Sequence, residues 1–294
     1  MDLGYRLLNV FAIEGDPFSG NPLCVFTDAA ALTDEQMQAW ARQFNLSEST
    51  FVTGLRPADH AADVRIFTAS YEMPFAGHPT LGTAHVVAGL LVEQDPRRSA
   101  VDDVSIRLPV GPVPVRRTGT GWELTAGSPR HRGLDVSPAD LAVTLGIRAD
   151  QLVEDAARWV DVGVEQLIVQ LSDAAAVRAC APVVAAMHRH LTTPERPPHV
   201  YVWAWTGEGT AEARLFAVSG SGLEEDPATG SACSNLGGWL VGQGRRDLTV
   251  TVSQGAAVSR PSRLDLRIDA DGGIHVGGRV VAVGSGTVTP VSET

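Results

Sequence analysis

The chain has 294 residues, of which 44% are hydrophobic and 19% charged, and its formal net charge is −11. That is enough apolar chain to bury one large core or two medium ones, and the acidic balance argues against a nucleic-acid-binding face, which needs clustered Lys and Arg. Its start, Met1 to Arg6, has no basic-then-apolar signal order, and no apolar run reaches the roughly 20 residues of a membrane helix.

From the N-terminus, Leu7 to Ile13 and Leu23 to Phe26 read as strands, with Gly15, Pro17, Gly20 and Pro22 as turn signals between them. Thr33 to Phe44 reads as a helix, with Thr33 as cap and Met37, Trp40, Ala41 and Phe44 on one face. Strands follow at Phe51-Val52 and Val64 to Phe67, then a helix over Thr80 to Val92, then strands at Val104 to Leu108 and Val113 to Arg116. Gly127, Pro129 and Gly133 break the pattern, which puts a boundary near Thr125 to Arg132. Beyond it lie a strand at Leu167 to Leu171, a helix near Ala174 to His190, and strands at Val200 to Ala204 and Ala213 to Val218. A helix over Ala232 to Val241 and strands at Leu248 to Val252, Leu264 to Ile268 and Val280 to Val283 complete the chain. No dinucleotide glycine fingerprint follows a strand, which counts against a Rossmann enzyme.

The pattern is written twice, about 150 residues apart. Arg65-Ile66-Phe67 is echoed by Arg214-Leu215-Phe216. Glu72, Pro74 and Gly77 keep the same spacing as Glu225, Pro227 and Gly230. An Ala-, Gly- and Leu-rich helix follows each. The expected organisation is an α+β chain of two similar lobes, residues 1–127 and 128–294, leaving open whether the last strand crosses back to the first lobe.

Each repeat places a glycine turn between a strand and a helix. Helix starts offer unpaired N–H groups and a positive dipole end, and small residues let a ligand approach them. Gly77 and Gly230, with Ser231, are therefore candidates for binding a carboxylate or a developing enolate, although tight capped turns would look the same. His78, next to Gly77, could act as acid, base or donor. Asp226 precedes the second turn, where it would aim its carboxylate into the same cleft, yet it also belongs to the acidic run Glu224-Glu225-Asp226 of a kind common in solvated loops. Glu48, in Ser47-Glu48-Ser49, could be a turn residue. The matching place in the second repeat, Leu191-Thr192-Thr193, has no acid, which suits a site that is asymmetric between two similar walls. Cys24, Cys180 and Cys233 show no metal spacing and fit a reducing cytoplasm.

At these residues the chain resembles the phenazine-biosynthesis PhzF-like family, which shares the diaminopimelate-epimerase fold. The resemblance rests on Gly20-Asn21-Pro22-Leu23, Asn45 to Val52, Arg65 to Thr68, Pro74 to Ala84, Leu108 to Val115, Glu225 to Ala232, Gln254-Gly255 and Arg260-Pro261-Ser262. It runs from about residue 8 to about residue 285 in the family's order. It implies two pseudo-symmetric lobes, each a mostly antiparallel barrel-like sheet around a central helix, with the active site between them. It implies that Glu48 shuttles a proton between two carbons of the substrate, with His78, Asp226 and Ser231 as polar partners beside the Gly77 and Gly230 backbone. It implies no cofactor and no metal, a small carboxylic-acid substrate in secondary metabolism such as antibiotic biosynthesis, a cytoplasmic enzyme, and commonly a homodimer. Gln166 before Leu167, Ser219 to Gly222, and Ala256 to Ser259 depart from the usual pattern and are expected to line the cleft, so the phenazine substrate itself should not be assumed.

The isomerase reading has two competitors. An epimerase or racemase of the same fold would use one cysteine from each lobe, but Ala76 and Pro227 stand where that pair is expected. A non-catalytic binding protein on the same fold would have less reason to keep Glu48, His78, Asp226 and Ser231.

Overall fold

The computed structural model describes residues 2–289 except 96, 98, 120, 195, 196, 220 and 221. It divides into two compact units, Met1–Thr125 with Gly277–Thr294, and Ala126–Val276. The fold is mixed α/β and rich in sheet.

The first unit opens with β1 (Leu3–Val10), antiparallel to β2 (Asn21–Phe26). Phe11 takes a positive φ of 63°, so the strand expected to reach Ile13 stops at Val10. Helix α1 (Asp34–Phe44) starts on Thr33 with a full capping box, in which the Thr33 hydroxyl accepts the Gln36 N–H and the Gln36 side chain accepts the Thr33 N–H. Its Met37 and Ala41 pack into a cluster with Phe26, Phe51 and Phe67, where the Phe26 and Phe51 rings stack at 4.6 Å. Strand β3 (Glu48–Arg56) runs parallel to β2 and antiparallel to β4 (Ala61–Phe67). The short β5 (Glu72–Met73) folds back on β4 and leads into α2 (Gly77–Gln94). Strand β6 (Asp103–Leu108) pairs parallel with β4, and β7 (Gly111–Thr118) and β8 (Gly121–Thr125) follow as an antiparallel meander.

Helix α2 packs against β1, β2, β3, β4, β6, β7 and β8 of its own unit, which explains why it is apolar all round rather than amphipathic. Gly82 lets it come close: a Cβ there would lie 2.4 Å from Leu23 Cδ2 and 2.9 Å from Val10 Cγ2.

The second unit holds β9 (Arg130–Gly133), α3 (Pro138–Leu145), β10 (Leu152–Asp161), β11 (Gln166–Leu171), α4 (Ala174–Ala179) and α5 (Val184–Leu191). Then come β12 (His199–Gly207), β13 (Thr210–Ser219), β14 (Gly222–Asp226), α6 (Gly230–Gly242), β15 (Leu248–Gln254) and β16 (Ser262–Ile268). Its pairings repeat the order of the first unit. β10 is antiparallel to β11, β11 parallel to β12, β12 antiparallel to β13, β13 parallel to β15, and β15 antiparallel to β16, with β14 folded back on β13.

Strand β12 is buried on both faces. Val200, Val202 and Ala204 meet Leu145, Val177, Met187 and Leu191 of the helices on one side. On the other, Trp203 packs edge-on to Trp239 of α6 at 5.3 Å.

The single helix expected near Ala174 to His190 is two helices. Ala181 and Val183 N–H groups leave the helical ladder for the carbonyls of Leu145 and Thr144 at the end of α3, and Pro182 between them has no N–H to continue it. Strand β17 (Ile274–Val288) follows β16, and its later part pairs antiparallel with β1. No helix among the described residues is long and apolar enough to cross a membrane.

Candidate functional site

The repeated sequence motif builds the same device in both units. In the first, Arg65 on β4 forms a two-pronged bond to Glu72 on β5, Nε to Oε1 at 2.8 Å and Nη2 to Oε2 at 2.6 Å. In the second, Arg214 on β13 does the same to Glu225 on β14, at 3.0 and 2.7 Å. Each guanidinium also lies over the phenylalanine two residues on, 5.1 Å from the Phe67 ring and 4.5 Å from that of Phe216. Glu225 is thus a strand residue in a buried ion pair and not part of a solvated acidic loop. The pair pins the short returning strand immediately before the turn that opens the helix.

The two turns end in helix starts of the same kind. Ala76 before α2 and Thr229 before α6 are extended, and neither gives the helix a side-chain cap. The first-turn N–H groups therefore keep their capacity for an anion. Thr80 and Ser234 instead donate back to the carbonyls of Ala76 and Gly230, four residues before them.

In the first unit Glu48 opens β3, and the neighbouring strand residue Thr50 is tied to Thr83 of α2 by a 2.8 Å hydroxyl contact. Glu48 Oε2 lies 3.3 Å from His78 Nδ1. His78 is 5% exposed, and burial pushes its pKa down to about 3, with a hydrogen bond to the Pro22 carbonyl opposing the shift. At neutral pH the imidazole is uncharged. Its Nδ1 approaches Glu48 Oε2 without meeting hydrogen-bond geometry, so the contact sets a separation and not a tautomer. Nε2 is buried and has no hydrogen-bond partner among the described residues.

In the second unit Asp226 ends β14. Its Oδ2 accepts a short hydrogen bond from the Thr229 hydroxyl. Gln254, at the end of β15, fixes this turn by donating Nε2 to Thr229 Oγ1 at 3.0 Å and to the Asp226 carbonyl at 2.9 Å. Ser231, in the first turn of α6, is met by Gln166 at the start of β11, and Gln166 in turn by Asn235 of α6.

The structure therefore brings Glu48, Gly77 and His78 together in one unit, and Asp226, Gly230 and Ser231 together in the other. Sequence reasoning singled out Gln166 only as a departure and Thr229 and Gln254 only as parts of motifs, and it passed over Asn235. The one available signal for Asn235 was an amide inside an otherwise apolar helix. Of the departures, Gly220 and Ser221 lie outside the described residues. No cluster of three or more His, Cys, Asp or Glu able to hold a metal ion is present among the described residues. All three cysteines are buried, and burial pushes the Cys24 and Cys180 thiols up to about 12 and that of Cys233 higher still.

Residues 8–291 match the family model described as phenazine biosynthesis-like protein. An uncharacterized isomerase of Pasteurella multocida is 36% identical over 285 residues, covering 96% of this chain and 92% of that protein. A trans-2,3-dihydro-3-hydroxyanthranilate isomerase of Pseudomonas aeruginosa is 33% identical over 283 residues, covering 91% and 92%. Among solved structures, a Bacillus anthracis phenazine biosynthesis protein of the PhzF family superposes with a TM-score of 0.82 at 21% identity, covering 98% of this chain and 99% of that one.

Proposed function

The chain belongs to the phenazine biosynthesis-like (PhzF) family of isomerases, and on that footing we propose that it moves a proton, and with it a double bond, within a small carboxylic acid, using Glu48 as general acid and base. The observation that carries the reading is the Glu48–His78 pair. A carboxylate stands 3.3 Å from a buried, uncharged imidazole at an uncapped helix start. The carboxylate removes a proton alpha or vinylogous to an electron-withdrawing group and returns it to another carbon. His78 stands beside the carboxylate as an uncharged polar partner, and its buried Nε2 can hydrogen-bond a substrate hydroxyl or amine. Asp226 is a further polar group for the substrate. The N–H groups beginning at Gly77 and Gly230, with Ser231, bind the substrate's anionic oxygens. No step in this scheme needs a metal or cofactor.

The chain is read as two pseudo-symmetric lobes, each a barrel-like, mostly antiparallel sheet around a central helix, α2 or α6. The recurring strand-pairing order and the twin Arg–Glu pairs support this. A two-thiol racemase finds no support, because the three cysteines are buried as protonated thiols.

The reaction fits secondary-metabolite biosynthesis, and trans-2,3-dihydro-3-hydroxyanthranilate, the compound in the relative's name, is the first substrate to try. The test is turnover in deuterated water. Wild type should place solvent deuterium in the product, while Glu48→Gln should fold normally and lose about 10²- to 10⁴-fold in rate, the usual contribution of a positioned acid–base group. Full turnover by that variant rejects the assignment.

A further inference from the structure

The turn that opens α6 is held by amide side chains whose two ends can be told apart. Asn235 Oδ1 accepts the Val162 N–H at 3.0 Å, and its Nδ2 donates to the Val164 carbonyl at 2.7 Å. Backbone groups have fixed roles, so they settle which end of Asn235 is which. The same Nδ2 donates to Gln166 at 2.8 Å, which makes the atom of Gln166 that it meets the oxygen. Gln166 is thereby left to present Nε2 to Ser231 Oγ, 3.3 Å away. Gln166 is 5% exposed and Asn235 0%, so water does not compete for these bonds.

A serine oxygen that receives an N–H must aim its own hydrogen elsewhere, and among the described residues the Ser231 hydrogen has no acceptor. Its neighbour Thr229 is wired the other way. Gln254 Nε2 donates to Thr229 Oγ1, and the Thr229 hydrogen is spent inward on Asp226 Oδ2. Ser231 is then the hydroxyl of this turn that still has a hydrogen to give.

We propose that Asn235 and Gln166 are positioning residues that hold Ser231 with its hydrogen free to donate. The α6 turn consequently favours an oxygen acceptor of the substrate, a carboxylate or carbonyl oxygen, over an ammonium group. The inference rests on Ser231 as a substrate-binding residue and extends that reading to the atom it meets.

The test is calorimetric titration of the full chain with three probes that share one ring: anthranilate, 2-aminobenzamide and 2-aminobenzylamine. Wild type should bind the anion best and the ammonium worst. Gln166→Glu keeps the shape but offers only acceptors, so it draws the Ser231 hydrogen inward. Asn235→Asp should act at one remove, because Gln166 must turn its NH₂ toward the new carboxylate and its oxygen toward Ser231. Each should weaken anthranilate binding about 10- to 100-fold, the worth of one hydrogen bond to a charged group. Ser231→Ala should cost a similar factor in wild type and nothing more on top of Gln166→Glu, an interaction that a merely structural role would not produce.

Thermal melts establish which variants fold. If neither does, the wild-type probe series with Ser231→Ala decides the matter. The proposal is overturned if wild type binds 2-aminobenzylamine as well as anthranilate or binds none of the three. It is also overturned if folded Gln166→Glu or Asn235→Asp binds anthranilate like wild type, or if Ser231→Ala keeps its full effect in the Gln166→Glu background. Proton transfer by Glu48 is read from turnover and this wiring from binding, so the failure of one is distinguishable from the failure of the other.

Discussion

Replacing Arg214 by Met should destabilise the protein far more than replacing Arg65 by Met, although the two arginines occupy matching places in the repeat. The Arg214 and Glu225 side chains are 14% and 9% exposed, while those of Arg65 and Glu72 are 25% and 32% exposed. Arg214 Nη1 also donates to the carbonyls of Val177, Arg178 and Cys180, closing the end of α4. Its loss leaves a buried carboxylate without its partner and takes a donor from three carbonyls, of which Val177 keeps the Cys180 N–H, a defect that costs about 3–5 kcal/mol. Loss of Arg65 leaves two carboxylates, Glu72 and Asp34, that water can reach, at a cost of about 1 kcal/mol. With a urea slope of about 2 kcal/mol per M, midpoints should fall by about 1.5–2.5 M for Arg214→Met and about 0.5 M for Arg65→Met. Arg214→Met combined with Glu225→Leu should recover much of the loss, because no charge is then left stranded. Equal shifts for the two single variants, or a double variant no better than Arg214→Met, would refute the reasoning.

Two further outcomes follow from burial. His78 has its pKa lowered from 6.5 to about 3, so the unfolded chain binds the extra proton between those values. Its contribution to stability is complete above pH 6.5 and is lost as pH falls toward 3, with a slope approaching about 1.4 kcal/mol per pH unit. Urea midpoints at pH 7 and pH 5 should therefore differ less in His78→Gln than in wild type, and equal differences would reject the shift. Cys24, Cys180 and Cys233, all buried, should resist a disulfide thiol reagent in the native chain and all react in denaturant. Rapid native labelling of any of them would reopen a thiol mechanism.

What was legible in the sequence was local or repeated. Thr33 and Gln36 announce α1 because a capping box is complete within four residues. The twin Arg–Glu pairs were visible as matched spacings, since each is a contact between neighbouring strands of one hairpin. The break between α4 and α5 was not read, although Pro182 marks it, because the carbonyls that draw the chain out of the helix belong to α3, more than thirty residues upstream. The Asn235–Gln166 bond joins residues 69 apart, and nothing in either neighbourhood points to the other. The match of the α2 start to its family motif drew attention to His78, but its depressed pKa comes from burial by distant segments and could be read only from the fold.

The path of the chain also orders its manufacture. Strand β1 pairs on one side with β2 and on the other with residues 280–288 of β17. The unit formed by residues 126–276 is continuous, whereas the other is assembled from two stretches that flank it. At translation speeds of about 5–20 residues per second, one edge of the N-terminal strand waits roughly 15–55 s for its partner. During that interval β1 presents unpaired backbone and an apolar face, the combination that invites pairing with other chains. The later unit needs no segment beyond residue 276, whereas the earlier one cannot be completed without the last stretch, and synonymous codons that slow that stretch should lengthen the nascent chain's dependence on chaperones.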